Sequence, residues 1–351
     1  MNKKLIALAV VGACVAPEAM AQTANPVTLY GRIYATFESV EAKGGTTPVG
    51  RRNRVADQAS YLGVRGTEDL GGGLKAFFQL ETGFPPDNTS ASFATRNSAI
   101  GLQGGFGSIL LGRWDTPMKV TQTAVDPWGD LTNGDITGAA LDQGNFSRRE
   151  NNSVQYWSPT MAGFAVRLQY TANEGKTGTV NPSVYGGSVT WSSGPVYVAY
   201  AYEKHKDVAT SGTGAAATNL SEDGNSIAAS YKFGDFKLSG NYGEYKRDRV
   251  ATAADTRSQE KDTSYMVGID WAFGKHVLLA SIQHAEIDGT NQDCDMGSIG
   301  YRYDFSRRTF FIASYTKVDN NNGMNCNFGT NTLGAAGQNP EGVGLGVRHL
   351  F

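Results

Sequence analysis

The chain has 351 residues with 31 basic and 33 acidic side chains, and its formal net charge of -2 gives no overall positive field that would attract nucleic acid. Glycine (44), tyrosine (16) and phenylalanine (16) are abundant while proline (11) is sparse, as is typical of strands joined by turns. The length allows two average domains or one large barrel, and we expect neither a nucleic-acid partner nor a cofactor.

The N-terminus has the pattern of an export signal. Two lysines, Lys3 and Lys4, precede an apolar run over residues 5–16, and Ala19-Met20-Ala21 forms a small-x-small cleavage site. We therefore predict a signal peptide over 1–21 and a mature chain over 22–351. A lipoprotein signal ending at Cys14 matches less well than the later cleavage site.

No later segment approaches the roughly 20 apolar residues that a membrane helix requires. An exported chain of this kind is soluble, lipid-anchored or a barrel. Among structures that cross lipid, only a closed barrel satisfies its backbone polar groups without helices.

Segments of about ten residues alternate strictly between apolar and polar side chains. In 27–38, Leu29, Ile33 and Phe37 share one face, whereas Arg32 and Glu38 lie on the other. The same period recurs over 74–82, 164–170, 264–273 and 342–351. Successive side chains of a strand point to opposite faces, so each segment has one apolar and one polar face.

The connections between these segments alternate in length. Seven are short, Gly- and Asp-rich turns, at 69–73, 104–107, 160–163, 192–195, 234–235, 274–275 and 306–308. Eight are long, at about 39–58, 83–95, 115–152, 171–183, 204–224, 246–262, 286–296 and 319–341. Short turns on one side and long loops on the other are typical of outer-membrane barrels. The sequence thus predicts an all-β fold, a single 16-stranded antiparallel transmembrane β-barrel, with aromatic girdles where rings cluster near strand ends.

Several motifs, taken in this order and spacing, resemble one known family. They are Val27-Thr28-Leu29-Tyr30-Gly31, the stretch 60–76, Ile100-Gly101-Leu102 with Gly104–Gly107, Leu111-Gly112-Arg113, the stretch 152–159, and the ending 346–351. Over essentially the whole mature chain, the sequence is similar to the general-diffusion porins of Gram-negative bacteria, closest to the β-proteobacterial branch. The terminal Phe351 resembles the aromatic end that the outer-membrane assembly machinery reads.

The resemblance implies a homotrimer in the outer membrane, in contact with lipid and lipopolysaccharide, that passes small ions and hydrophilic solutes by diffusion. It also implies that the third long loop, about 115–150, folds into the barrel and narrows it. In the family an acidic loop faces basic residues on the barrel wall, and opposed charges across a gap orient solutes and select ions.

Candidate pore residues follow from this expectation. The loop contains five acids, and we expect two at the narrowest level; besides Asp115 they are Asp126, Asp130, Asp135 and Asp142. The basic wall candidates are Arg32, Arg54, Arg65, Lys75, Arg96, Arg113, Arg148 and Arg149. Alternation places Arg32, Arg65 and Lys75 on polar faces, and the resemblance favours Arg54, Arg96 and Arg148 or Arg149. Rigidly held wall arginines lead us to expect a modest preference for anions.

Two cysteines remain in the mature chain, Cys294 and Cys326. Export implies an oxidising compartment, so we expect one disulfide between neighbouring loops, with two free thiols as the alternative. No histidine stands at ligand spacing beside either cysteine, and we expect no metal site there.

Three other functions remain open. A substrate-specific channel would need an aromatic track or a concentrated basic constriction. A barrel enzyme would need a histidine with Ser or Asp at the rim, where His205 and His284 are the candidates. A soluble β-sandwich has no reason to sort its loops by length.

Overall fold

The computed structural model describes residues 27–88, 92–129, 132–136, 146–178, 180–207, 220–248, 259–329 and 331–351. The predicted signal peptide, Asp130 and Asp142 lie outside these ranges. The strands are β1 (Thr28–Gly44), β2 (Val49–Asp57), β3 (Tyr61–Gly71), β4 (Leu74–Gly83), β5 (Ser98–Gly104), β6 (Gly107–Asp115), β7 (Arg149–Trp157), β8 (Phe164–Thr171), β9 (Ser183–Ser193), β10 (Val196–Lys206), β11 (Glu222–Phe233), β12 (Phe236–Asp248), β13 (Gln259–Phe273), β14 (His276–Ile287), β15 (Asp293–Asp304), β16 (Thr309–Asn320) and β17 (Gln338–Leu350). One helix, α1 (Pro117–Thr123), follows β6.

The strands form one closed antiparallel sheet. From β3 to β17 each strand pairs with the next along the chain. The first and last strands then pair with each other from Arg32 opposite Leu350 to Gly44 opposite Gln338. Closure leaves the sheet without an unpaired edge, which is the condition for crossing lipid with strands.

The segments β2 and β3 are two parts of one barrel strand. Both pair with β1, β2 near its far end and β3 near its start. The register shifts by one residue where they meet, and Ala59 there has a φ of 55°. This interruption behaves as a β-bulge, so the barrel has the sixteen strands that the sequence predicts.

Alternation along each strand separates an outward apolar face from an inward face of small and polar residues. In β1, Leu29, Ile33 and Phe37 are exposed, whereas Tyr34 and Glu38 are buried. The same contrast runs through β14 and β17. A continuous exposed apolar band is the surface expected of a barrel in lipid.

No helix within the described ranges is long and apolar enough to cross a membrane.

The strands on the long-loop side extend further than predicted. The first predicted loop, 39–58, is wrong, because β1 continues to Gly44 and β2 begins at Val49. The predicted loop 286–296 is a tight connection over 288–292. Polar residues beyond the apolar band continue the ladder because strand pairing does not require an apolar neighbour. All seven short turns are confirmed.

Aromatic rings form a continuous ladder at the short-turn end of β11 to β15. Neighbouring ring centroids lie 4.7–6.1 Å apart along Tyr231, Phe233, Phe236, Trp271, Phe273, His276, Tyr303 and Phe305. Amphipathic rings favour the boundary between hydrocarbon and water, so this ladder corresponds to one of the predicted girdles.

The two faces of the barrel should respond differently to a new charge. Ile282, near the middle of β14, is 61% exposed on the outward face. We expect Ile282→Arg to lower the free energy of unfolding in lipid vesicles by about 2–4 kcal/mol, because the guanidinium would enter hydrocarbon. Thr67→Arg, on the inward face of β3, is the matched control and should have a much smaller effect in the same urea titration. Equal losses for both variants would contradict this assignment of the faces.

Candidate functional site

A recess of ≈ 430 Å³ on the inner face combines strand residues with the segment that follows β6. It is lined by Arg32, Tyr61, Glu81, Arg96, Asn97, Asp115, Lys119, Val120, Thr123, Ala124, Gly129 and Arg149. Four of these side chains are basic and two are acidic. We call this site the basic recess.

One side of the basic recess is built around the ring of Tyr61. The guanidinium carbons of Arg32 and Arg96 each lie 5.0 Å from the Tyr61 centroid. Arg32 also donates to the carbonyl oxygen of Ala59 at 2.7 Å, and Arg96 pairs with Glu81 at 2.6 Å. These contacts fix the orientation of two cations on the wall, and an aromatic face attracts a cation without neutralising it.

The other side of the basic recess is organised by Asp115. Its carboxylate lies 3.2 Å from Nε of Arg149 and 4.0 Å from Nζ of Lys119. Nδ2 of Asn97 donates to the same carboxylate at 2.7 Å, and its Oδ1 accepts from Arg149 at 3.0 Å. Asp115 therefore ties the end of β6 to the start of β7, with α1 close by.

Further arginines extend the positive charge along the inner wall. The Arg65 guanidinium lies 4.8 Å from the Tyr30 ring, and Arg302 and Arg348 lie 5.4 and 4.2 Å from the Phe310 ring. Arg302 forms an ion pair with Asp304 at 2.9 Å. Neither Arg65 nor Arg348 forms an ion pair with a described residue. We call Arg32, Arg65, Arg96, Arg302 and Arg348 the basic wall.

The segment after β6 crosses to the opposite inner wall. Helix α1 begins at Pro117 after Thr116, whose hydroxyl accepts from the Lys119 amide as an N-cap. It then contacts β8, β9, β10 and β11. Gln122 donates to the hydroxyl of Tyr245 at 2.9 Å.

Beyond α1 the same segment continues along the wall as far as β15. The indole Nε1 of Trp128 donates to Ser281 at 2.8 Å, and Gln283 donates to the carbonyl of Gly134 at 3.1 Å. These partners lie on the buried face of β14. Residues 117–129 and 132–136 therefore lie inside the barrel and pack against strands from β8 to β15.

Glycines on the inner face make room for this segment. A Cβ added to Gly268 would lie 2.3 Å from the Pro127 ring, and one added to Gly300 would lie 2.8 Å from Trp128. Real Cβ contacts are not so short, so a side chain at either glycine would displace the ring. These positions allow close approach of the segment, a common role of glycine within strands.

Comparison with known proteins assigns the chain to a family. A family model described as Gram-negative porin matches residues 7–323. The chain belongs to the Gram-negative porin family. A porin fold, location in the outer membrane and a channel function follow from this membership and agree with the closed barrel.

Individual relatives support the assignment. The porin is 33% identical to the outer membrane porin protein 32 of Delftia acidovorans, with 100% of both chains covered. It is 32% identical to the major outer membrane protein P.IB of Neisseria gonorrhoeae, covering 90% of this chain and 92% of the relative. Among solved structures, an anion-selective porin from Comamonas acidovorans superposes with a TM-score of 0.81 at 26% identity, covering 93% of this chain and 100% of that one.

Of the loop acids that the sequence analysis selected, Asp126 and Asp135 are described, and neither lines the basic recess. Asp126 is buried, and its Oδ1 accepts from the Trp128 amide at 3.0 Å. Asp135 is buried against Gly329, a residue of the last loop. Both acids thus contact protein, while Asp115 is the loop acid in the basic recess.

The predicted basic residues separate into distinct groups. Arg32, Arg96 and Arg149 meet in the basic recess, and Arg65 lines a neighbouring hollow on the inner face. Lys75 lies near the short-turn end of the interior, beside Gly73 and Gln103.

Arg54 and Arg148 lie on the long-loop side. Arg54 pairs with Glu38 at 2.7 Å and donates to the carbonyl of Asn331 at 2.8 Å, so it holds the last loop. Arg148 pairs with Glu150. Neither lines the basic recess.

Arg113 lies near the loop end of β6. Its register opposite Ser98 continues the outward face of Leu111, and its guanidinium donates to Thr95 and Asn151 at the loop end. Alternation from the apolar Leu111 directs the Arg113 side chain outwards, away from the basic recess.

The two cysteines are joined in the structure, with Cα atoms 6.3 Å apart and 32 residues of sequence separation. The bond links β15 to the last loop. Cys294 and Cys326 are buried in a small apolar cluster with Val40, Met324 and Phe328. The last loop is thereby packed over the inner face of β1 and β15.

Sequence reasoning missed several residues of the inner wall. The sequence analysis does not select Lys119, Glu81, Tyr61, Arg302 or Arg348 as residues of the wall. Alternation alone places Glu81, Arg302 and Arg348 on the polar faces of their strands, so that signal could have identified them. Nothing in the sequence indicates that two guanidinium groups lie over the Tyr61 ring.

Removal of the disulfide tests how firmly the last loop is held. We expect Cys294→Ala with Cys326→Ala to lower the free energy of unfolding by about 2–4 kcal/mol, since the unfolded chain regains its loop entropy. The stability is measured by urea titration. The fraction of folded protein at each urea concentration is read from a gel, on which folded and heat-denatured protein migrate differently. Wild-type protein treated with reductant is the control. An unchanged unfolding midpoint would show that the bond adds no stability.

Proposed function

We propose that this porin forms a water-filled channel with a preference for small anions, and that the segment over 115–150 narrows it. The observation that carries the proposal is the basic wall, on which five arginines project inwards from adjoining parts of the barrel. A charged lining in a narrow pore decides which ions enter.

The balance of charge in the basic recess supports anions. Arg32, Arg96, Arg149 and Lys119 contribute four positive charges there, against two from Glu81 and Asp115. Low-dielectric walls concentrate the field of such a site. Cation–π contacts to Tyr30, Tyr61 and Phe310 orient wall arginines while leaving their charge available to a passing ion.

The position of the loop supports its role in setting the width. Residues 117–129 and 132–136 occupy the side of the interior next to β8–β15, so solute is left the space between this segment and the basic wall. That arrangement confines passing ions to the neighbourhood of fixed arginines. The named relative described as anion-selective points in the same direction.

Reversal potential in a salt gradient across a planar bilayer is the decisive measurement. We expect wild-type protein to favour chloride over potassium. Arg65→Gln combined with Arg348→Gln should reduce that preference, since one unit charge about 6 Å from an ion in water contributes about 0.7 kcal/mol, or about threefold in partition.

Two controls make the result interpretable. Arg113→Gln removes an arginine from the outward face and should leave the reversal potential unchanged. Arg348→Lys keeps the charge and should retain most of the preference. A wild-type preference for cations, or an equal effect of Arg113→Gln, would reject the proposed role of the basic wall.

A substrate-specific anion channel is the alternative that the concentrated arginines favour. Diffusion through a general pore gives a conductance that rises steadily with salt, whereas a specific site saturates. Saturating conductance with one organic or inorganic anion, and block of chloride current by that anion, would support the specific channel.

We further propose that the porin has no enzymatic activity. Both histidines considered for a rim enzyme have carboxylate partners. His205 is buried between Glu203 and Glu222, and His284 contacts Asp295 at 2.9 Å on the outward face. A barrel hydrolase would require a nucleophile within reach of such a base.

The proposed assembly is a homotrimer in lipid and lipopolysaccharide, inserted by the outer-membrane assembly machinery after removal of residues 1–21. Phe351 suits an assembly signal, because its backbone pairs with Gly31 at 3.1 Å in both directions and its ring remains 42% exposed. Unheated protein should migrate as a trimer on a detergent gel, and channels should close in three equal steps at high voltage. A monomeric species with single-step closure would reject the trimer.

A further inference from the structure

A cluster of ionisable side chains is buried where the loop returns to the wall. His205 on β10 is fully buried, as is Glu203, and Glu222 on β11 and Glu150 on β7 are also buried. Ligand atoms of Glu150, Glu203 and His205 all lie within 4.8 Å of one another. The cluster is separate from the basic recess.

The two nitrogens of His205 have different surroundings. Nδ1 lies 2.7 Å from Glu222, and Nε2 lies 2.7 Å from Glu203. Nε2 therefore contacts Glu203, which belongs to the group of Glu150, Glu203 and His205. Nδ1 contacts Glu222 on the neighbouring strand β11. In metal sites a ligating histidine commonly donates its second N–H to a carboxylate, which fixes the ring and raises its basicity.

A second observation points to a missing partner. Oε1 of Glu203 lies 2.7 Å from Nε2 of His205, but its Oε2 is buried and has no hydrogen-bond partner among the described residues. A buried carboxylate oxygen without a partner is costly, and a bound cation is one way to satisfy it.

Charge balance favours a divalent ion. Arg148, which pairs with Glu150, is a cation beside these three carboxylates. Arg247, opposite Glu222 in register, pairs with Glu260 and Asp262 on β13. With His205 protonated between Glu203 and Glu222, the three carboxylates, Arg148 and His205 together carry a charge of about -1, and a divalent ion that displaces the Nε2 proton would compensate it.

We propose that Glu150, Glu203 and Nε2 of His205 form a site for a zinc-class divalent cation, with Glu222 orienting the imidazole from Nδ1. One nitrogen and two carboxylate oxygens leave a fourth position for water, a ligand set that zinc accepts. Ligand atoms around tetrahedral zinc are roughly 3.3 Å apart, so modest side-chain rotations suffice from the present separations.

The ion would join the end of the pore loop to the wall. Phe146 stacks on His205 with centroids 4.7 Å apart and on Tyr245 at 5.0 Å. Glu150 follows four residues later at the start of β7. Metal bound here would therefore link the returning limb of the loop to β10.

The test uses the untagged, refolded full barrel and zinc alone. Competition with a chromophoric chelator should give one Zn²⁺ per chain, and X-ray absorption at the zinc edge should show one imidazole among oxygen ligands. Glu203→Gln, His205→Gln and Glu222→Gln should each weaken zinc binding by about tenfold or more.

His284→Gln is the matched control, since His284 also contacts two carboxylates, Glu286 and Asp295, but lies on the outward face. It should leave the affinity unchanged. Gel mobility before and after heating confirms that each variant is folded. Absence of stoichiometric binding in folded wild-type protein, or binding unaffected by Glu203→Gln and His205→Gln, would overturn the proposal without bearing on ion selectivity.

Discussion

Every backbone N–H and C=O within hydrocarbon must find a partner inside the protein, and this single constraint organises the barrel. Pairing of β1 with β17 closes the sheet from Arg32 to Gly44 of β1, so neither terminal strand presents an open edge. Closure then fixes which face of each strand meets lipid. The outward positions become apolar, and polar groups are left only the interior and the two rims.

An interior filled with polar side chains must also accommodate a loop. Gly268 and Gly300 receive the rings of Pro127 and Trp128, and Ser281 accepts the indole hydrogen. Close packing of this kind gives the segment a defined path, because rings inserted into fitted hollows cannot shift freely. The polar face of the barrel thus serves two purposes: one side holds the loop, and the other presents arginines to water.

The charge on the basic wall persists because of how its members are held. A carboxylate partner would reduce the field of Arg65 or Arg348, whereas contact with Tyr30 or Phe310 orients the guanidinium and leaves its charge largely intact. Arg96 and Arg302 do have acidic partners, Glu81 and Asp304, and contribute less. The field therefore depends on aromatic neighbours as much as on the number of arginines.

The sequence predicts those features that depend on the alternation of apolar and polar side chains within a short segment. The alternation in 27–38 reflects lipid on one side of the strand and water on the other, so the strand can be recognised from these residues alone. It failed where strands leave lipid, as at 39–58, because pairing continues there without any apolar face. It does not indicate that Asp126 and Asp135 are buried, since the direction of a loop side chain depends on contacts with distant residues such as Gly329.

The disulfide was predicted from the sequence, but its structural surroundings were not. Two cysteines in an exported chain suggest one bond, but their sequence does not indicate that Cys326 brings the last loop into an apolar cluster with Val40 and Phe328. The amide of Gly329 in that loop then donates to Asn133 of the pore loop at 3.4 Å. The disulfide-linked last loop is thus joined to the segment 132–136 by this hydrogen bond. Because the last loop is fastened to β15 and contacts Asn133, the position of the segment 132–136 depends on covalent as well as packing constraints.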